Sequence, residues 1–185
     1  MNDSAWRTWP PELAADEALA TAVLAAHRRL AEELGRGDPL QCLNIRLPIE
    51  QRALRRIEDW RVLLLLTPWM LARLLFPDRP PTIPLPAGWT AEERVGKAYQ
   101  VLGPALHLRL LGQDQLAHLN YHPALGHYLL QPLCLDMEPY TEGEEVFSAW
   151  SEVVRIRDAN MEQARRDCPL QKEISRRELF SRFRI

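Results

Sequence analysis

Hydrophobic and polar positions along this chain follow two periods. Between residues 12 and 34, Leu13, Ala20, Val23, Leu24, His27, Leu30, Ala31 and Leu34 recur near helical spacing, and Gly35 and Gly37 supply a stop. This predicts an amphipathic helix over 12–34, opened by Trp9-Pro10-Pro11. Alternation over 42–48 predicts a short strand. Residues 49–59, where Arg52, Arg55 and Arg56 stand among Leu54 and Ile57, fit either a helical turn or a polar edge strand. The run from Trp60 to Leu66 predicts a strand buried on both faces. Thr67 and Pro68 suit the cap and first position of a short helix, with Met70, Leu71, Leu74 and Leu75 turned inward. Five prolines between Pro77 and Pro86 predict an extended loop over 77–88.

Farther on, residues 105–111 alternate as a strand, 112–115 read as a turn, and 116–135 hold one or two more strands, the better over 127–134. Thr141-Glu-Gly-Glu144 matches a capping box. It opens a helix over 142–166 with Val146, Trp150, Val153, Val154, Met161 and Ala164 inward, ended by Pro169. A polar, basic tail covers 170–185. Short turns rather than crossover helices separate the strands. The pattern therefore predicts an α+β fold: a mostly antiparallel sheet with an N-terminal helix and a long C-terminal helix packed on one face. The whole chain, 1–185, reads as one domain with a β-rich core over 42–135.

Composition narrows the function classes. A net charge of −2 gives no general reason to bind nucleic acid or an anionic membrane, and the apolar runs fall far short of a bilayer span, so stable membrane insertion is not expected. The opening Met1-Asn-Asp-Ser-Ala lacks the order of a secretory signal, which reads as cytoplasmic. Cys42, Cys134 and Cys168 suit reduced thiols. Residues 151–185 carry 9 Lys and Arg against 6 Asp and Glu, whereas 1–150 carry 14 against 19. A basic tail on an acidic body fits either a solvated helix or a tail that binds something.

Chemistry-bearing groups are sparse. His118, His122, His127 and Cys134 lie close enough in sequence to suggest a metal site, but Asn120, Pro123 and Gly126 argue against the helix that would align the first two. Cys134 fits a small buried hydrophobe better than a nucleophile. None of the 8 glycines forms a phosphate loop, and Glu58-Asp59 and Glu144-Glu145 are explained by a turn and a helix start. No catalytic set or cofactor site is visible, so a non-enzymatic role is expected. Six tryptophans are many for this length. Trp60, Trp69 and Trp150 read as core or groove-lining, while Trp6, Trp9 and Trp89 stand where partial exposure would favour protein binding.

Trp60 opening an apolar strand, then Thr67, Pro68, Trp69 and Met70, then an apolar run to Phe76 and Pro77, resembles the signature of the HybE family of NiFe-hydrogenase assembly chaperones. Looser similarity continues through Gly103–Leu110 and His127–Cys134 to the basic ending at Ser175–Phe180. The resemblance implies that 53–59 form an outer strand and a turn at Glu58-Asp59, in a hairpin with 60–66. It also implies a non-catalytic accessory protein that binds the precursor hydrogenase small subunit, with its twin-arginine signal, and possibly the large subunit. Apolar contacts around Trp60, Thr67, Pro68, Trp69, Met70 and Phe76 would hold the signal, and acidic groups would take its arginine pair. Arg176 and Arg177, within Ser175-Arg-Arg-Glu-Leu-Phe180, resemble a twin-arginine motif and suggest a mimic of the client, although Arg-Arg pairs recur at 28–29, 55–56 and 165–166. The alternative function is a metal or iron–sulfur delivery factor using His118, His122, His127 and Cys134.

Overall fold

The computed structural model describes residues 6–35 and 43–167, the side chains at 161 and 163–167 excepted. The chain divides into two compact units, residues 1–143 and 144–185. The first holds a 3-10 turn at Pro11–Leu13, helix α1 (Asp16–Gly35), a six-stranded antiparallel sheet and a one-turn helix α2 (Ala91–Arg94). The strands are β1 (Glu50–Ile57), β2 (Trp60–Thr67), β3 (Met70–Pro77), β4 (Ala105–Leu110), β5 (Gln113–His122) and β6 (Gly126–Cys134), in the spatial order β1-β2-β3-β6-β5-β4. The second unit holds helix α3 (Gly143–Asp167), which starts in the first. The fold is α+β, as the short inter-strand turns predict.

The β1–β2 hairpin with its turn at Glu58-Asp59 is present, Ile57 pairing with Trp60. Two expected elements differ. The segment after Thr67 is strand β3, not a short helix. Thr67 pairs with Met70, so Pro68-Trp69 are a two-residue loop and the chain reverses at once. Thr67 does accept the amides of Trp69 and Met70 on Oγ1, at 3.4 and 3.1 Å, as a helix cap would. Leu, Met and Ala would favour a helix, but an eight-residue strand paired to both β2 and β6 buries both its faces, and that tertiary gain outweighs local propensity. The expected strand over 42–48 is a turn in its described part. Asn44 Oδ1 accepts the Arg46 amide at 3.2 Å and the Asn44 carbonyl accepts Leu47 N–H at 3.0 Å, a local alternative to a ladder, and Pro48 has no N–H to give.

Each face of the sheet has its own core. On one, α1 lays Leu19, Val23, Ala26 and Leu30 over Leu63, Leu65, Ala72, Leu74, Phe76, Tyr128 and Leu130. On the other, Val62, Leu75, Leu119 and Leu129 meet Leu108 and Leu110 under Trp6 and Trp89, with Ile83 and Leu85 of the proline-rich segment packed alongside. Trp6 and Trp89 are thus buried, contrary to the expected partial exposure, because the proline-rich chain and the N-terminal segment cover this face. Trp6 Nε1 donates to the Ile83 carbonyl at 2.6 Å. His127 holds both covers: its Nδ1 accepts Arg7 N–H at 2.8 Å and its Nε2 donates to the Trp89 carbonyl at 2.9 Å.

Arg61, inside the apolar run, is also buried. It donates to Asp78 at 3.1 Å and to the Leu13 carbonyl at 3.1 Å, and stacks 4.3 Å over the Trp9 ring. The sheet curls until its two outer hairpin turns touch, Leu111 N–H donating to Glu58 Oε1 at 3.2 Å. In the second unit, Val153 and Ile156 of α3 are exposed, so the inward stripe expected through Val153 is interrupted, and the side chains of Met161 and Ala164 lie outside those described.

Candidate functional site

The Thr67–Met70 turn is sealed. Thr67, Pro68, Met70 and Phe76 are buried and Trp69 is only 8% exposed, packed in the cluster under α1. Trp60 is buried on the opposite face, in the cluster with Val62 and Leu108. All six side chains, expected to hold a client through apolar contacts, are buried, with Trp60 at the wall of a cavity it shares with Leu108. Continuous apolar runs paired on both sides go to the core, so the features that mark the segment in sequence are those of packing. Arg176 and Arg177 lie outside the described residues, as do Cys42 and Cys168.

What the turn does is brace a surface above it. The Pro68 carbonyl accepts Asn44 N–H at 2.9 Å. Asn44 Nδ2 then donates to the carbonyls of Met137 and Tyr140, at 2.8 and 2.7 Å. One side chain therefore ties the 43–47 turn to the segment that follows β6. Between them lies a cavity of about 390 Å³, lined by Leu43, Asn44, Ile45, Arg46 and Glu138. Ile45 is 87% exposed and Leu135 52% exposed, and both are large apolar side chains left to solvent. Asp136 and Glu138 are exposed too, Glu138 at the cavity with Ile45 and Asp136 in the same segment as Leu135, with Asp136 Oδ1 accepting the Glu138 amide at 3.2 Å. Arg46 is turned to Asn44 Oδ1, at 3.4 Å. The Cys134 thiol donates to the Asp136 carbonyl at 3.3 Å, and burial, then the neighbouring Cys134, raises the Tyr140 phenol pKa.

This surface offers apolar contact and free carboxylate oxygens, the complement of an apolar segment that carries arginines. Sequence reading passed over it because Ile45 stands in an alternating stretch that looks like a strand. The signal that could have found it is Asn44 followed by Pro48, which favours a turn and so exposes the isoleucine between them.

The alternative metal set does not assemble. His118 and His122 share one face of β5, while His127 pairs with Tyr121 on the other face. Both nitrogens of His127 are engaged, and Nδ1 of His118 bonds the Gly103 carbonyl at 2.7 Å. Cys134 lies at the far end of β6 from His127. Strand geometry alternates side chains between faces, whereas the sequence window suggested only proximity. Among the described residues no group of three His, Cys, Asp or Glu is placed to hold a metal ion, and no helix is long and apolar enough to cross a membrane.

Residues 18–182 match a family model described as a NiFe-hydrogenase assembly chaperone, HybE. Among solved structures, the chain is similar to the solution structure of HybE from Escherichia coli, at 20% identity over 74% of this chain and 75% of that one, with a TM-score of 0.46. No curated protein matches the chain significantly.

Proposed function

The chain belongs to the HybE family of NiFe-hydrogenase assembly chaperones, and on that premise we propose that it is a non-catalytic holder of the precursor small subunit, acting in the cytoplasm before export and assembly. The large subunit is a second client in this reading. The contact is made by the surface braced on the Thr67–Met70 turn. Ile45 and Leu135 receive apolar side chains of the signal segment, and Asp136 and Glu138 accept hydrogen bonds from its arginine pair. The buried residues Thr67, Pro68, Trp69 and Met70 act at one remove, by fixing the position of Asn44.

The observation that carries this reading is a cavity lined by the exposed Ile45 and Glu138, between segments tied together by the Asn44 bonds to the backbone of Pro68, Met137 and Tyr140. The test is calorimetric titration of the full chain with a peptide of the small-subunit signal. Ile45→Ser and the pair Asp136→Asn, Glu138→Gln are each expected to weaken binding by about tenfold or more, the value of one charge-assisted or well-buried contact. All of these positions are exposed, so melting temperatures should not change. Wild-type affinity in both variants overturns the placement of the site.

A further inference from the structure

A small cavity of about 200 Å³ lies where β5 turns into β6. Glu33 of α1, Arg94 and Lys97 from the end of α2 and the turn after it, and Tyr121 and His122 of β5 all line it. The two cations come from one tight turn. The Arg94 carbonyl accepts Lys97 N–H at 3.2 Å. Val95 stands between them at φ −59° and ψ 127°, and Gly96 follows at φ +70°. This is the pattern of a type II turn, in which glycine takes the third place without strain. Such a turn brings its first and last residues within about 7 Å at Cα, so Arg94 and Lys97 reach the cavity side by side.

Arg94 is held in place. Its Nη2 donates to the Ala98 carbonyl at 2.7 Å, and the guanidinium stacks 4.6 Å over the Trp89 ring. Nη1 makes no bond, and neither Arg94 nor the Lys97 ammonium has a carboxylate partner among the described residues. Glu33 is exposed and likewise in no ion pair among them. His122 Nδ1 accepts the Ala124 amide at 3.2 Å, so the neutral ring carries its proton on Nε2, free to donate. Burial lowers the pKa of this histidine, against Glu33, which raises it, and with Arg29, which lowers it, so the ring is neutral at pH 7. Tyr121 is only 7% exposed, and its hydroxyl makes no hydrogen bond among the described residues.

Opposite charges therefore line one cavity without closing on each other. A bound molecule that carries the complementary charges satisfies all three at once. The complement of two cations and one carboxylate is two anionic groups and one ammonium. We propose that this cavity binds a small molecule with two carboxylates and one ammonium, of the size of an acidic amino acid. The carboxylates meet Arg94 and Lys97, with Tyr121 and His122 as neutral donors, and the ammonium meets Glu33. Such a ligand bridges α1, the turn after α2 and β5, so its binding stabilises the folded unit. The site goes beyond the client-holding reading, and its failure leaves that reading untouched.

The test is thermal shift and calorimetric titration of the full chain with L-glutamate and L-aspartate. Glutarate, which lacks the ammonium, 4-aminobutanoate, which lacks one carboxylate, and inorganic phosphate are the comparison ligands. At least one of the two amino acids should bind saturably and raise the melting temperature, with each comparison ligand weaker by about tenfold or more. Lys97→Gln should lose about tenfold in affinity while the ligand-free protein melts as the parent does, because this side chain is exposed. Glu33→Gln, also at an exposed position, should erase the preference over glutarate, since the ammonium loses its acceptor. Absence of saturable binding by both amino acids at millimolar concentration overturns the proposal. So does parental affinity in Lys97→Gln, or a preference over glutarate that survives in Glu33→Gln. Glutarate or phosphate binding as tightly as the amino acids overturns it too, making the cavity a plain anion site.

Discussion

His27 shows how a single residue sets the acid limit of this fold. The imidazole of α1 is wholly buried, donating from Nδ1 to the Val23 carbonyl at 2.8 Å, while Nε2 has no partner among the described residues. Burial is the main cause that lowers its pKa to about 4; the Val23 bond opposes this and nearby His122 adds to it. The unfolded chain takes up this proton near pH 6.5, so the fold prefers the neutral ring. The contribution is complete above about pH 6.5 and is lost as pH falls from there towards 4. His122 and His127 are also shifted down, each chiefly by burial, and act in the same sense. Urea denaturation across this range should therefore show stability declining with acid. In His27→Leu the decline should be shallower by roughly 2–3 kcal/mol over the full window. At pH 7 the variant should be as stable as the parent, or up to about 1 kcal/mol more so, because an unpaired buried nitrogen is gone. A slope unchanged by the substitution would assign the acid sensitivity to other groups.

At the scale of elements, the β2–β3 hairpin runs between the two larger cavities. Its turn end carries Asn44 and the apolar, acidic surface; its open end carries Trp60 and the proline-walled cavity. The turn depends on one hydroxyl. Thr67 Oγ1 accepts from two amides and donates to the Met70 carbonyl at 3.1 Å, all out of water. Thr67→Val keeps the shape and removes these bonds, leaving buried backbone groups unmatched. It should cost roughly 1–3 kcal/mol, read as a lower urea midpoint at unchanged slope. If the turn braces Asn44 as described, affinity for the signal peptide should also fall, even though Thr67 touches no client. A variant that loses stability but keeps full affinity would separate the turn from the surface.

On the scale of the whole molecule, the first unit carries cavities of about 390 and 510 Å³ at the two ends of the β2–β3 hairpin. Charges at the first of these, Asp136 and Glu138, act over about one Debye length, roughly 8 Å at physiological salt. Affinity for the signal peptide should therefore fall as salt rises, and in the variant Asp136→Asn, Glu138→Gln it should become nearly independent of salt. A salt dependence that survives in that variant would assign the charge contacts to other groups.

The sequence by itself determined the class of the fold, its longest elements and its family. Helical and alternating periods are local properties, legible wherever one face is buried, as in α1, β2, β4 and α3. The family signature was legible because it is a packing signature, a buried apolar hairpin with a Thr-Pro-Trp reversal. The same fact takes the most distinctive residues out of solvent, and the proposed site falls instead on plain ones, Ile45, Asp136 and Glu138. Only the tertiary structure decided that residues 70–77 pair as a central strand, that Trp6 and Trp89 close the second face, that His127 turns away from His118 and His122, and that the curl of the sheet sets Glu58 against Leu111. These outcomes depend on contacts between residues distant in the chain, whose free energy of burial exceeds the local preferences that a sequence window records.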